Sequence, residues 1–231
     1  MLRIDQLLSR YGYCSRREAA AWVKGGRVTL DGEALKKADQ RVHPSAVLVD
    51  GRPVEFPDGL LVAFHKPAGV ACSHNPMESP LIYDLLPEAW MRRQPPPQTV
   101  GRLDRETSGL ILLTDDGALL HRLTSPRHEV IKTYEATLDA DIPPGTAGVF
   151  AAGTLMLHGE DKPCLPAELE VLTPRTARLH IREGKYHQVR RMFASQGCRV
   201  TALHRTRVGE LSLGDLPEGA WRAVERGNIG H

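Results

Sequence analysis

Apolar and polar positions along this chain change their period once, and the change divides it. In the first 36 residues the spacing is helical. Leu7, Leu8 and Tyr11 line one side of a short helix, and Ser15-Arg16-Arg17-Glu18 has the Ser-x-x-Glu form of a capping box. A second helix follows, with Ala19, Trp22 and Val23 at i, i+3 and i+4 turned inward and Arg16, Arg17 and Lys24 outward. Gly25-Gly26 ends it. Val28-Thr29-Leu30 and Glu33-Ala34-Leu35 then flank Asp31-Gly32, the pattern of a tight hairpin. Val54 to Gly59, with Pro53 before it and Pro57 and Asp58-Gly59 within it, reads as a linker. Beyond it short apolar runs and period-two alternation predict strands. These are Leu60 to Phe64, Leu110 to Thr114, Lys132 to Leu138 with Tyr134, Ala136 and Leu138 on one face, and Ala177 to Ile181. A last helix is predicted from Val189, Met192 and Phe193, stopped at Gly197. Pro95-Pro96-Pro97 reads as an exposed, stiff connector.

Length and composition fit this division. With 231 residues, 41% apolar and 25% charged, the chain suits a small domain at 1–58 and a larger one at 59–231. It has no apolar run of about 18 residues to cross a membrane. Met1-Leu2-Arg3-Ile4-Asp5 lacks the apolar stretch of a signal peptide, so a cytoplasmic protein is expected. Cys14, Cys72, Cys164 and Cys198 are far apart, and the histidines show no ligand spacing, so neither a disulfide framework nor a metal is expected. No Gly-x-Gly-x-x-Gly fingerprint calls for a nucleotide cofactor. The net charge of +2 hides two basic segments. Residues 1–37 carry eight Lys and Arg against four acids, and residues 178–207 carry eight against Glu183 alone. A solvated helix face explains one such run, but two in a short chain make an anionic polymer the better partner.

Candidate chemistry centres on Gly101-Arg102-Leu103-Asp104-Arg105-Glu106-Thr107-Ser108-Gly109-Leu110. One carboxylate sits on a short polar loop delivered by a buried strand, where an acid is held rigidly with one face open. By residue type alone, an ordinary surface turn is an equal reading. Tyr134, on the inward face of its strand, is either core or a site residue. Arg190 shares a helix face with His187 three residues earlier, away from the apolar stripe. Arg191 is the lesser candidate, for a phosphate or the surface.

The ten-residue string around Asp104 resembles the catalytic motif of the pseudouridine synthases, in the branch that modifies ribosomal RNA. Lys66-Pro67-Ala68-Gly69, Lys132-Thr133-Tyr134 and His187-Gln188-Val189-Arg190-Arg191-Met192 resemble further motifs of the same family, in the same order. The N-terminal helix, helix, hairpin unit resembles the alpha-L RNA-binding module. Thr124-Ser125-Pro126-Arg127-His128 looks more like the small-subunit branch than like its large-subunit relatives. The resemblance implies an α+β protein: an alpha-L domain, then a catalytic domain with a mostly antiparallel mixed sheet, flanking helices and a central cleft. It implies Asp104 as the essential carboxylate, Tyr134 against the target base, Arg190 paired with Asp104, and Ile181 packed beneath the base. Arg3, Arg16, Arg17, Lys24 and Arg27 would grip RNA from the first domain, with Lys66, Arg102 and Arg191 contacting it from the second. The implied substrate is ribosomal RNA or an assembling small subunit, modified without cofactor at a uridine of the uridine-516 type, with large-subunit ribosomal RNA as the alternative target; a monomer is expected.

Two other classes stay open from the residues themselves. A noncatalytic RNA-binding or ribosome-assembly factor would use the same basic segments. A carbohydrate-active hydrolase would also place a carboxylate at a sugar carbon, but it usually needs a second acid. Glu106 and Asp115-Asp116 are the nearby acids, and Asp115-Asp116-Gly117 reads as the turn after a strand.

Overall fold

The computed structural model describes residues 1–124 and 130–228, so most of the Thr124 to His128 string lies outside the described residues. The first unit contains β1 (Leu2–Arg3), α1 (Ile4–Arg10), α2 (Ala19–Lys24), β2 (Val28–Leu30), β3 (Glu33–Ala34), β4 (Arg41–Val42), β5 (Val47–Val49) and β6 (Arg52–Pro53). Ile4, Leu7, Leu8, Ala19, Val23, Val28, Val47 and Val49 form its core. The hairpin forms as the sequence predicts. Leu30 pairs with Glu33 across Asp31 and Gly32, both at positive φ (49° and 87°), as a two-residue primed turn requires. The capping box forms by half. The Glu18 carboxylate accepts from the Ser15 backbone N–H at 2.8 Å and from its hydroxyl at 2.6 Å, and the helix proper starts at Ala19. Trp22 is only half buried, with the Arg27 guanidinium lying 3.4 Å over its ring.

The second unit contains β7 (Leu61–Lys66), α3 (Glu88–Met91), β8 (Gln98–Val100), β9 (Thr107–Thr114), α4 (Gly117–Thr124) and β10 (Lys132–Leu138). It continues through α5 (Thr146–Ala151), β11 (Glu168–Thr173), β12 (Thr176–Ile181), α6 (Gln188–Ala194), β13 (Val200–Val208), β14 (Leu211–Ser212) and β15 (Trp221–Ala223). Among the described residues nine strands make one sheet in the order β11-β12-β10-β13-β9-β7-β15, with β14 beside β13 and β8 beside β9. Every pairing in it is antiparallel except β13 with β9. The runs at β7 and β9 are continuously apolar because both faces are covered. Val62, Phe64, Ile111 and Leu113 face the main core with Phe150, Met192 and Phe193, while Leu61, Ala63, Leu110 and Leu112 face a second core with Leu119 of α4.

The parallel pair is unusually close at Gly109, which has φ +112°. A Cβ there would lie 2.3 Å from the carbonyl oxygen of Arg205, so glycine is required. Two register shifts interrupt β10 against β13, and one leaves Tyr134 opposite Arg205 while Thr133 pairs with Arg207. Bulges re-aim side chains in this way.

The segment read as a linker is fastened on both sides. Val54 belongs to the first core, and Phe56 packs edge-on against Trp90 at 5.4 Å. Arg93, 3% exposed, donates to the carbonyls of Glu55 and Phe56, pairs with buried Asp115 at 2.8 Å and lies 4.7 Å over the Tyr11 ring. One guanidinium thus ties both units together. In the triproline, Pro95 is exposed as expected, but Pro97 is buried.

Candidate active site

Asp104 lies in the turn that opens β9, with the Thr107 N–H donating to its carbonyl at 3.0 Å. Its side chain is 32% exposed. Two residues of the α6 segment approach it: His187 Nε2 at 3.5 Å from Oδ1 and Arg190 Nε at 4.0 Å from Oδ2. Arg190 lies in the first turn of α6, but His187 is the left-handed residue just before it, so the two converge on Asp104 without sharing the helical face that their spacing predicts. The contact between Arg190 and Asp104 is looser than the expected pair. The Arg190 Nη atoms donate instead to the carbonyl of Val200 at 3.1 Å and of Glu106 at 3.2 Å. Arg190 therefore clamps the loop that carries Asp104 while adding positive charge at the distance of a weak, partly screened ion pair. His187 was not singled out by the motif reading, yet it is the nearer group. It sits at φ 47°, ψ 35°, left-handed backbone that a non-glycine residue rarely adopts.

The central strands carry the other expected site residues. Tyr134 is 8% exposed and Ile181 3%. Tyr134 lies opposite Arg205, which lies opposite Gly109, so two strand spacings, about 10 Å, separate Tyr134 from the strand that Asp104 precedes. Arg205 is the second residue that the sequence reading missed. Buried at 4% exposure, it donates from Nε to the Leu110 carbonyl at 2.7 Å, and Nη1 reaches the Tyr134 hydroxyl at 3.4 Å. Its signal was a cation two residues after Leu203, in an inward slot of an alternating strand.

Two residues expected to touch RNA are built into the protein instead. Lys66 is fully buried, and its ammonium donates to the carbonyls of Pro67 at 2.7 Å, Val70 at 2.6 Å and Arg105 at 3.1 Å. Burial pushes its pKa below the ordinary lysine value, with the nearby acids opposing. Lys-Pro-x-Gly is thus a turn stapled by its own lysine to the loop of Asp104. Arg191 is committed to Glu160 at 2.8 Å and to the carbonyls of Tyr186 and His158. In the first unit, Arg3 and Arg16 share Asp5 at 3.0 and 3.2 Å, Arg27 pairs with Asp50 at 2.5 Å, and Arg17 and Lys24 are exposed. Arg102 is exposed beside Asp104, and Arg105 donates to the Ser79 carbonyl at 3.1 Å. The Cys72 thiol packs at the same loop against the Leu103 backbone, and burial pushes its pKa up.

Two of the nearby acids have other duties. Asp115 is paired inside with Arg93 and accepts the Leu60 N–H, and Asp116 caps α4 through the Ala118 and Leu119 N–H groups. Neither is available as the second acid of a hydrolase. Among the described residues no cluster of His, Cys, Asp or Glu could hold a metal, and no helix is long and apolar enough to cross a membrane.

The chain that carries this loop aspartate, with His187 and Arg190 beside it, is similar to known proteins. Residues 60–195 match the RNA pseudouridylate synthase family and residues 2–48 the S4 domain, so the chain belongs to the RNA pseudouridylate synthases and carries an S4 domain in front. It is 40% identical over 231 residues to the ribosomal small subunit pseudouridine synthase A of Salmonella typhimurium, covering 99% of this chain and 98% of that one. The protein of the same name from Escherichia coli K12 is 40% identical over 233 residues, with the same coverage. A solved pseudouridylate synthase superposes with a TM-score of 0.69 at 33% identity, over 99% of this chain and 98% of the other.

Proposed function

We propose that this synthase converts one uridine of small-subunit ribosomal RNA, of the uridine-516 type, to pseudouridine, with Asp104 as the reacting carboxylate. The observation that carries this reading is Asp104 itself, on a loop pinned by Lys66 and Arg190 yet open on one face. Similarity to small-subunit synthases over almost the whole chain supports the choice of RNA.

The reaction breaks the bond from ribose C1′ to uracil N1, turns the uracil, and joins C5 to the same C1′. The proton on C5 is lost and N1 gains one, so composition is unchanged. Positive character on the sugar calls for a nearby carboxylate, which can stabilise it, attack it or take a neighbouring proton. Asp104 fills that role in each case. Rigid mounting matters because a misplacement of about 1 Å costs roughly 100-fold in rate. The flat Tyr134 ring lies against the extruded base, Ile181 packs beneath it, and the Arg205 charge orients the Tyr134 hydroxyl. Extrusion costs a few kcal/mol, repaid by contacts in the cleft. Arg102 grips the backbone or fills the gap left in the RNA. Arg3, Arg16, Arg17, Lys24 and Arg27 hold RNA phosphates and so position without reading sequence. A ribosomal RNA substrate, free or in an assembling subunit, places the work in the cytoplasm, and a monomer suffices because one chain supplies every group named.

The test is primer-extension mapping of carbodiimide-treated ribosomal RNA from cells with and without the gene, complemented by wild type or by Asp104→Asn. One stop in small-subunit RNA should vanish on deletion and return with wild type alone. Persistence of every stop would remove ribosomal RNA as the substrate, and restoration by Asp104→Asn would remove Asp104 as the reacting group.

A further inference from the structure

Tyr186 is 72% exposed, an unusual position for a large ring, and it stands next to His187 at the mouth of the Asp104 site. The two rings are stacked, with centroids 3.9 Å apart and planes 18° from parallel. His187 covers one face of Tyr186. An exposed tyrosine on a loose loop would need no explanation, but this loop is tightly held. Arg191 donates to the Tyr186 carbonyl at 2.9 Å, Lys185 Nζ to the Lys162 carbonyl at 3.0 Å, and the Lys185 N–H to Gln188 at 2.9 Å. Glu183 accepts from the Leu165 N–H at 2.7 Å and from Gln188 at 2.8 Å. The left-handed backbone at His187 adds strain that persists only where surrounding structure imposes it, and such strain concentrates at functional sites.

We propose that the Tyr186–His187 stack is a preformed platform for a second nucleobase, one flanking the uridine that enters the Asp104 site. This inference rests on the proposed RNA substrate and adds a contact to it. A rigid ring presented to solvent suits an unstacked base, because stacking tolerates any base and a fixed platform loses little freedom on binding. The position fits: the ring is held, through His187, beside the carboxylate where the target sugar must sit. When the target uridine leaves its stack, its neighbour loses a partner, and the platform supplies another. The role also accounts for the engagement of Arg191 and Lys185 in protein contacts, since both hold the loop that carries the platform.

The experiment measures tritium release from a small-subunit ribosomal RNA transcript labelled at uridine C5, free and in partly assembled subunits, with wild type, Tyr186→Ala and Tyr186→Phe. Dissociation constants for the same RNA are measured in an Asp104→Asn background, which separates binding from turnover. Loss of one base-stacking contact weakens binding about 5- to 150-fold. Tyr186→Ala should therefore raise both KM and Kd at least about fivefold, with kcat within about threefold, and Tyr186→Phe should behave as wild type. Wild-type KM and Kd in Tyr186→Ala, or a loss confined to kcat, would overturn the platform. Tritium release by Asp104→Asn itself, or none by wild type, would strike the proposed chemistry instead, while the Kd comparison still decides the platform.

Discussion

Replacing Lys66 by methionine separates a structural lysine from an RNA-binding one. Methionine keeps the length and removes the ammonium with its three donor contacts, to Pro67, Val70 and Arg105. Hydrogen bonds to a charged group contribute about 1.5–3 kcal/mol each, so the three amount to roughly 4–9 kcal/mol before any offset. Methionine also avoids dehydrating a buried cation, a cost of several kcal/mol, which the lowered pKa of Lys66 reflects. The difference, with three carbonyls left short of a donor, comes to about 2–5 kcal/mol of lost stability. At about 2–4 °C per kcal/mol for a chain of this length, Tm should fall by roughly 5–20 °C. Below the new transition, kcat should still fall by about tenfold or more, because the Arg105 carbonyl is one residue from Asp104 and its anchor is gone. Calorimetry and tritium release read the two effects. A variant with unchanged Tm and a defect confined to KM would show that Lys66 touches RNA after all, and the structural assignment would be wrong.

Arg93→Met leaves Asp115 charged and buried without its partner, and should cost about 3–5 kcal/mol in thermal unfolding; adding Asp115→Asn should restore part of it, and a fully additive second loss would contradict the pairing. Gly109→Ala should lose about 3 kcal/mol or more, because its methyl meets the Arg205 backbone at 2.3 Å; soluble protein with wild-type Tm would mean that β9 and β13 do not approach so closely. Burial, reinforced by the nearby His65, holds His204 below its ordinary value of 6.5. The unfolded chain therefore binds the proton first, and stability falls as pH drops from about 6.5 through the folded value. His204→Gln should flatten that slope in pH-dependent unfolding, and an unchanged slope would assign it to other groups.

Local pattern carried most of the N-terminal unit, because helix stripes, a Gly-Gly stop and an Asp-Gly turn act within a few residues of themselves. The helix bearing Arg190 was legible for the same reason, but the left-handed turn that brings His187, just before it, still closer to Asp104 was not. What remained hidden depends on distant partners. Arg191 reads as a free cation until Glu160, brought beside it by the fold, takes its charge. Lys66 reads as an RNA-contacting cation until the Asp104 loop folds over its ammonium. The 54–59 stretch has linker composition, yet Arg93, far along the chain, fastens its carbonyls. The inward Arg205 broke the apolar alternation, which was its only trace in the sequence. The bulge that turns it to Tyr134 left none.

The parallel pairing of β13 with β9 has a consequence for the order of synthesis. Thr107 meets Leu203 across this pair, and the loop before each strand brings its share of the site to the same end of the sheet. Asp104 leaves the translating ribosome long before its companions on α6, and the closure that brings them together waits for β13. A nascent chain can fold its RNA-gripping module first and hold RNA before it can alter it. The order of the chain thus lets the module form before the site is complete.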